Sequence, residues 1–289
     1  MLAQIVVSGV AQGALYALVA LGMTIVYRAT TVVNFGHGDL LMAGAFAVYV
    51  FVVYLGLPYP PAALLAAGLM FLLGVAVQRG LIQPILGGPH LALAMMAIAV
   101  GYTLRGVARV YWGREVLPFP RIYPDDVFFV GDVVVSADDL IVTGIVLELL
   151  AVLFSAFYLT RLGKLAQAVF QSQRGAALVG INVPGFHNVM WGTGALLAAV
   201  GGILIAPVTF LYPDMSAWVL IRGFAAMTLG GFGSFHGAVV GGLLLGVLEL
   251  AVGAYLSTTL VEITAYLVII GVLLVRPAGL FGRRITVRV

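Results

Sequence analysis

The sequence has 289 residues, of which 63% are hydrophobic and 9% charged, with no cysteine and a formal net charge of +3. Soluble domains carry about 25% charged residues, so a water-soluble globule is excluded, and so are disulfides, thiolate chemistry and cysteine-based zinc sites. The single lysine, Lys164, and the 13 arginines are scattered between apolar runs, which points to membrane orientation rather than to a nucleic-acid surface.

A hydrocarbon core about 30 Å thick needs roughly 20 apolar residues of helix to cross it. On that measure the spans run over about 3 to 27, 36 to 56, 61 to 79, 90 to 112, 139 to 160, 187 to 211, 236 to 256 and 260 to 275. The first run is too long for the apolar region of a signal peptide and has no basic residues before it, so it is read as an uncleaved span. A shorter run, about 218 to 231, ends in Gly230-Gly231-Phe232-Gly233 and predicts a half-helix whose broken backbone must be covered by protein or line a cavity. The expected fold is all-α, a polytopic transmembrane helical bundle of about eight spans plus a broken half-helix. The 37 glycines suit such a bundle, because small residues let transmembrane helices approach closely. Gly237-xxx-Gly241 and Gly242-xxx-Gly246 read as packing faces, within this chain or against another.

Short cytoplasmic loops are enriched in Lys and Arg. Arg28, Arg79, Arg161, Lys164, Arg174, Arg276, Arg283, Arg284 and Arg288 all fall on one side if these spans hold. The segment 113 to 139 falls on the other, with Glu115, Asp125, Asp126, Asp132, Asp138 and Asp139 against Arg114 and Arg121. The N-terminus is therefore expected outside and the C-terminus in the cytoplasm. Val127 to Val130 and Val133 to Val135 flank Gly131-Asp132 and predict an external β-hairpin.

Between the first two spans, Asn34-Phe35-Gly36-His37-Gly38-Asp39 places two glycines around a histidine. Each glycine lowers helix propensity by about 1 kcal/mol relative to Ala. A break here would offer backbone groups to a passing solute, with His37 and Asp39 beside it. The competing reading makes Asp39 the N-cap of the second helix. Phe232-Gly233 with Gly237 and His236 echoes Phe35-Gly36 with Gly38 and His37 later in the chain.

Glu148, Glu249 and Glu262 fall within spans, where an ionised carboxylate costs about 2.5 to 3.5 kcal/mol. They must turn inward, be neutral or pair, and Arg105, Arg109 and Arg222 are the available partners. From 161 to 184, Leu162, Leu165, Ala166, Val169 and Phe170 recur at helical spacing against Lys164, Gln167, Gln171, Gln173 and Arg174. Gly180 is expected to cap this amphipathic helix in the left-handed conformation, and Pro184 to prevent its continuation. A helix of this kind lies in the membrane interface or docks into a groove on a partner. No G-x-x-x-x-G-K-[ST], H-E-x-x-H or G-x-S-x-G occurs, so catalysis finds no support, and no metal or cofactor is expected.

Three stretches in order carry a family resemblance. The first runs from Gly13-Ala14-Leu15-Tyr16 through Asn34-Phe35-Gly36-His37-Gly38-Asp39 to Met42-Ala43-Gly44-Ala45. The second runs from Thr160-Arg161-Leu162-Gly163-Lys164 to Gly180-Ile181-Asn182. The third runs from Leu229-Gly230-Gly231-Phe232-Gly233-Ser234 to Gly241-Gly242, with the tail Arg276-Pro277-Ala278-Gly279-Leu280-Phe281-Gly282. Together they resemble the permease subunits of branched-chain amino-acid ABC importers, the LivH-type family, over nearly the whole chain. The pattern departs from the family at Phe235-His236, where Ile-Pro is usual, and at Asp39, where Glu is usual.

The resemblance implies a single transmembrane permease domain over 1–289, with an external hairpin loop at about 113–139 and a cytoplasmic coupling segment at about 161–184. Its solute would be a branched-chain or related small hydrophobic amino acid, with amides, urea and aromatic carboxylates as solutes of similar permeases. Asn34, Phe35, Gly36, His37, Gly38, Asp39, Gly231, Gly233 and His236 would lie on the substrate pathway. Arg161, Leu162, Lys164, Leu165, Val169, Phe170, Arg174 and Gly180 would couple to ATPases. The implied partners are a second permease subunit, two cytoplasmic ATPase subunits that hydrolyse the ATP, and an extracytoplasmic substrate-binding protein, in a bacterial or archaeal plasma membrane. The competing function is a self-contained ion-coupled secondary transporter or channel.

Overall fold

The computed structural model describes residues 1–120, 123–124, 126–131 and 133–282. Arg121, Asp125, Asp132, Arg283, Arg284 and Arg288, used above for orientation, lie outside the described residues. Among the described residues, eight helical segments are long and apolar enough to cross a membrane: Leu2–Thr30, His37–Tyr54, Tyr59–Ile85, His90–Trp112, Ala137–Leu159, Val183–Ile205, Phe235–Tyr255 and Thr258–Val275. The α-helices are α1 (Leu2–Thr30), α2 (His37–Tyr49), α3 (Tyr59–Val77), α4 (His90–Trp112), α5 (Ala137–Leu159), α6 (Arg161–Gln171), α7 (Gln173–Leu178), α8 (Val183–Ile205), α9 (Ser216–Gly230), α10 (Phe235–Tyr255) and α11 (Thr258–Val275). Helices α2 and α3 each run on into a π-helical turn, Val50–Tyr54 after α2 and Gln78–Ile82 after α3, the latter followed by the 3-10 turn Gln83–Ile85.

The half-helix is α9. Its 15 residues span roughly 22 Å at 1.5 Å each, short of the bilayer core. One expected span shifts: the run placed at about 187 to 211 is helical over Val183–Ile205. Pro184 sits in its first turn, where a missing N–H costs nothing, and Pro207 bars continuation beyond Ala206.

The chain divides into two compact units. The first comprises Met1–Thr24, Tyr123–Gly144 and Trp218–Val289. Here α10 packs on both sides through its glycines, all within this chain. A Cβ at Gly13 would lie 2.8 Å from Leu243 Cα, and one at Gly9 would lie 2.6 Å from Val247 Cα. Gly237 and Gly241 meet Gly230 and Ala226 of α9 in the same way. The hairpin forms as expected, with β1 (Val127–Val130) antiparallel to β2 (Val133–Ser136) and Val127 opposite Ser136. Gly131 supplies its turn at φ +62°. Gln4 of α1 holds β2 by donating to the Val134 carbonyl at 2.8 Å and accepting the Val134 N–H at 2.7 Å.

The second unit comprises Ile25–Ile122 and Ile145–Ala217. Its centre is α8, packed against α2 and α3. Gly44 of α2 lies so close to α8 that a Cβ would sit 2.5 Å from Ala199 Cα, and one at Gly74 of α3 would sit 2.6 Å from Ala195 Cβ. Tyr59 donates its hydroxyl to the Ile203 carbonyl at 2.6 Å, fixing the start of α3 to the end of α8.

Candidate transport site and coupling segment

Helix α1 is followed by Thr31, a β-branched residue held at φ +58°, where such residues are rarely found. The next turn is built by Asn34, whose Oδ1 accepts the Gly36 N–H at 3.0 Å while its carbonyl accepts the His37 N–H at 3.1 Å. Gly36 is the N-cap of α2 and carries no side-chain cap. Asn34, Gly36, His37, Gly38 and Asp39 are all buried, while Phe35 is 37% exposed. The segment lies against α4: Gly36 fits beside the Ala97 carbonyl and Asp39 beside Gly101.

Asp39 is not the N-cap. It lies in the first turn of α2, and its carboxylate accepts from Arg105 Nε at 2.9 Å and Nη2 at 2.8 Å. Arg105 also donates to Ser216 Oγ at 2.9 Å, and Arg109 pairs with Asp214. So two of the three arginines considered as partners for the span glutamates serve aspartates instead. Asp214, absent from the sequence-based candidates, joins them because the 3-10 turn Pro213–Met215 follows α8.

In the first unit, Gly231 (φ +106°) and Gly233 (φ +76°) turn the chain between α9 and α10. Ser234 caps α10 by accepting the Gly237 N–H at 3.1 Å, and His236 is exposed. The tail covers this turn: the Leu280 and Phe281 N–H groups donate to the Leu229 and Gly230 carbonyls, each at 2.9 Å. Gly279 packs so near that its Cβ would fall 2.6 Å from Gly231 N.

Of the three span glutamates, only Glu249 turns inward. It is fully buried, its Oε1 lies 3.0 Å from Arg222 Nε, and its Oε2 accepts from the Tyr16 hydroxyl at 2.8 Å. Gln12 Nε2 stands 3.5 Å from the same oxygen. Glu148 and Glu262 are exposed, and neither has a hydrogen-bond or ion-pair partner among the described residues.

The segment 161 to 184 is two helices rather than one. Thr160 caps α6 by accepting the Gly163 N–H at 3.1 Å, and Ser172, in extended conformation, ends α6 and caps α7 through the Gly175 N–H at 3.0 Å. Gly180 has the expected left-handed conformation, φ +85°, with Ile181 N–H donating back to the Ala176 carbonyl at 3.0 Å, the hydrogen-bond pattern of a Schellman cap.

The expected apolar face of this segment splits. Gly163, Ala166 and Val169 are buried and Phe170 is half-buried, whereas Leu162 and Leu165 are exposed, as are Arg161, Lys164, Arg174, Leu178 and Val179. Phe170 stacks on Phe157 at 6.0 Å, meets Phe186 edge-on at 5.5 Å and carries the Arg28 guanidinium 4.6 Å above its ring. Gln173 Nε2 donates to the Ala29 carbonyl at 2.9 Å. The segment is thereby tied to the end of α1 and the start of α8.

Comparison with known proteins gives a consistent result. The family described as the permease component of the branched-chain amino acid transport system matches residues 5–276. The high-affinity branched-chain amino acid transport system permease protein LivH of Salmonella typhimurium is 30% identical over 292 residues, covering 96% of this chain and 94% of that protein. The corresponding protein BraD of Pseudomonas aeruginosa is 29% identical over 293 residues, covering 97% and 95%. Among solved structures, PsaBC from Streptococcus pneumoniae in complex with Fab matches with a TM-score of 0.49 and 15% identity, over 94% of this chain and 91% of that one.

Proposed function

Because this chain belongs to the family of permease components of branched-chain amino acid transport systems, we propose that it forms one half of a membrane pathway for branched-chain or related small hydrophobic amino acids. It is a multi-pass membrane protein, and as the permease of an ABC importer it works with ATPase and binding-protein partners, the ATPases hydrolysing the ATP. A self-contained ion-coupled transporter would not be one component of a larger system. In our reading the complete importer pairs this chain with a second permease subunit above two ATPases, and the binding protein delivers solute to the side bearing the 113–139 loop. The N-terminus lies outside and the C-terminus in the cytoplasm.

The observation that carries the mechanism is the surface of α6 and α7. Arg161, Leu162, Lys164, Leu165, Arg174 and Leu178 face outward on two short helices that belong to no span, while Val169 and Phe170 anchor them from beneath. Such a surface fits a groove on an ATPase. Closure of the ATPases pushes α6–α7, and the contacts of Phe170 and Gln173 with Arg28 and Ala29 pass that motion to α1. We place the chain break from Asn34 to Asp39 on the solute path, and we assign Gly231, Gly233 and His236 to the solute path as well.

Purification of tagged protein from cells that express the whole transport system, followed by reconstitution, tests this reading. The expected outcome is co-purification of ATPase and second-permease subunits, and vanadate-sensitive uptake of leucine, isoleucine or valine into proteoliposomes. Preferred uptake of a hexose or a phosphate ester, whose recognition needs more hydrogen-bonding groups than these walls offer, would overturn it.

A further inference from the structure

Glu148 is the middle residue of α5, a 23-residue helix of membrane-spanning length. The residues of α5 that the chain buries beyond its first turn are Val142, Val146 and Leu150, one stripe at four-residue spacing. At about 100° per residue Glu148 lies roughly 200° round from Val146, on the opposite face of the helix. It is exposed and has no partner among the described residues. Glu249 marks the contrast: it too is in a span, but it is buried and held by Arg222 and Tyr16. A carboxylate at mid-span is not left facing hydrocarbon; it faces protein or a water-filled path.

The four residues that surround Glu148 on a helix surface are those three and four positions away, namely Gly144, Ile145, Ala151 and Val152. All four are exposed. Ile145 and Val152 give a branched apolar wall, and Ala151 leaves room beside the carboxylate. This patch therefore joins one anionic acceptor to a small apolar surface. A zwitterionic amino acid with a branched side chain presents the complement, a primary ammonium next to a short apolar group.

We infer that the Glu148 face of α5 lines the solute path, with the Glu148 carboxylate accepting the ammonium of the transported amino acid while Ile145 and Val152 contact its side chain. This rests on the reading above that the solute is a branched-chain amino acid passing between two permease subunits. The solute's carboxylate is left to groups other than Glu148, which can only accept.

The test uses the whole importer in proteoliposomes, with Glu148→Gln, Glu148→Asp and wild type measured for ATP-driven leucine uptake and for co-purification of the second permease. Glu148→Gln keeps an acceptor oxygen but loses the negative charge that strengthens its bond to an ammonium, so uptake should fall roughly tenfold. Glu148→Asp, which keeps the carboxylate, should recover most of it, and both variants should retain the second permease. Leucine uptake by Glu148→Gln within about twofold of wild type would overturn the site. Loss of the second permease from Glu148→Gln, restored by Glu148→Asp, would overturn it too, by showing that the carboxylate pairs with protein. A wild-type complex that takes up no branched-chain amino acid fails earlier and differently: it defeats the functional reading, and the ligand assigned here falls with it.

Discussion

Arg222 of α9 and Glu249 of α10 form an ion pair whose Nε–Oε1 distance is 3.0 Å, with the glutamate fully buried. Removing one member of a buried pair leaves an uncompensated charge and costs about 3 to 5 kcal/mol, whereas replacing both with apolar groups is often near neutral. Arg222→Met and Glu249→Gln should each lower the melting temperature in detergent, and the double variant should recover part of the loss. Single variants that melt with wild type in a fluorescence-detected size-exclusion assay would show the pair to be dispensable.

Gly180 has φ +85°, and a Cβ there would meet nothing within 4 Å. Any penalty on substitution is therefore purely conformational, about 1 to 2 kcal/mol for a left-handed residue and worst for a β-branched one. Gly180→Val should insert normally yet lose ATPase recovery and uptake, while Gly180→Asn, which tolerates this conformation, should keep both. Phe170→Asp removes the ring beneath Arg28 and should resemble Gly180→Val. Pull-downs in which Gly180→Val and Phe170→Asp both match wild type would dismiss the coupling assignment in favour of a helix lying in the membrane interface.

The protein lacks cysteine, so single introduced thiols report topology without background. Phe129 in the hairpin is 76% exposed and Leu178 in α7 is 85% exposed. A membrane-impermeant maleimide should label Phe129→Cys from the external face of the membrane and Leu178→Cys only once the cytoplasmic face is opened. The reverse pattern would invert the orientation.

The contact of α2 with α8 depends on Gly44, where a Cβ would sit 2.5 Å from Ala199 Cα. Overpacking of this kind costs about 1 to 3 kcal/mol, so Gly44→Val should reduce the yield of monodisperse protein and its melting temperature. Gly68 of α3 has open space around it, and Gly68→Val should behave close to wild type. Equal losses at both positions would indicate a helix-propensity effect instead of packing.

How far the fold could be read from the sequence depended on what each feature requires. Helix α4 was expected at 90 to 112 and occupies His90–Trp112, because Pro89 precedes it and Gly113, at φ +75°, follows it. Arg222, one of three arginines offered to the span glutamates, meets Glu249 27 residues further along the chain. The pairs Asp39–Arg105 and Arg109–Asp214 are separated by 66 and 105 residues. Which carboxylate each arginine meets depends on how α2, α4 and the turn after α8 are rotated about their axes, and apolar runs do not encode that rotation. The division of α6–α7 into buried Val169 and exposed Leu162 escaped the pattern for a related reason. An amphipathic helix shows one apolar face, and nothing local tells which part of it the same chain will cover.

The Ala29 carbonyl accepts from Gln173. A peptide carbonyl is present whatever the side chain, so this junction between α7 and α1 cannot be erased by exchanging residue 29 for another of similar size. Its information content sits in the donor alone. Among relatives of this permease, selection should therefore hold a side-chain donor at 173 and pass over position 29, where the junction is invisible to selection on side-chain chemistry.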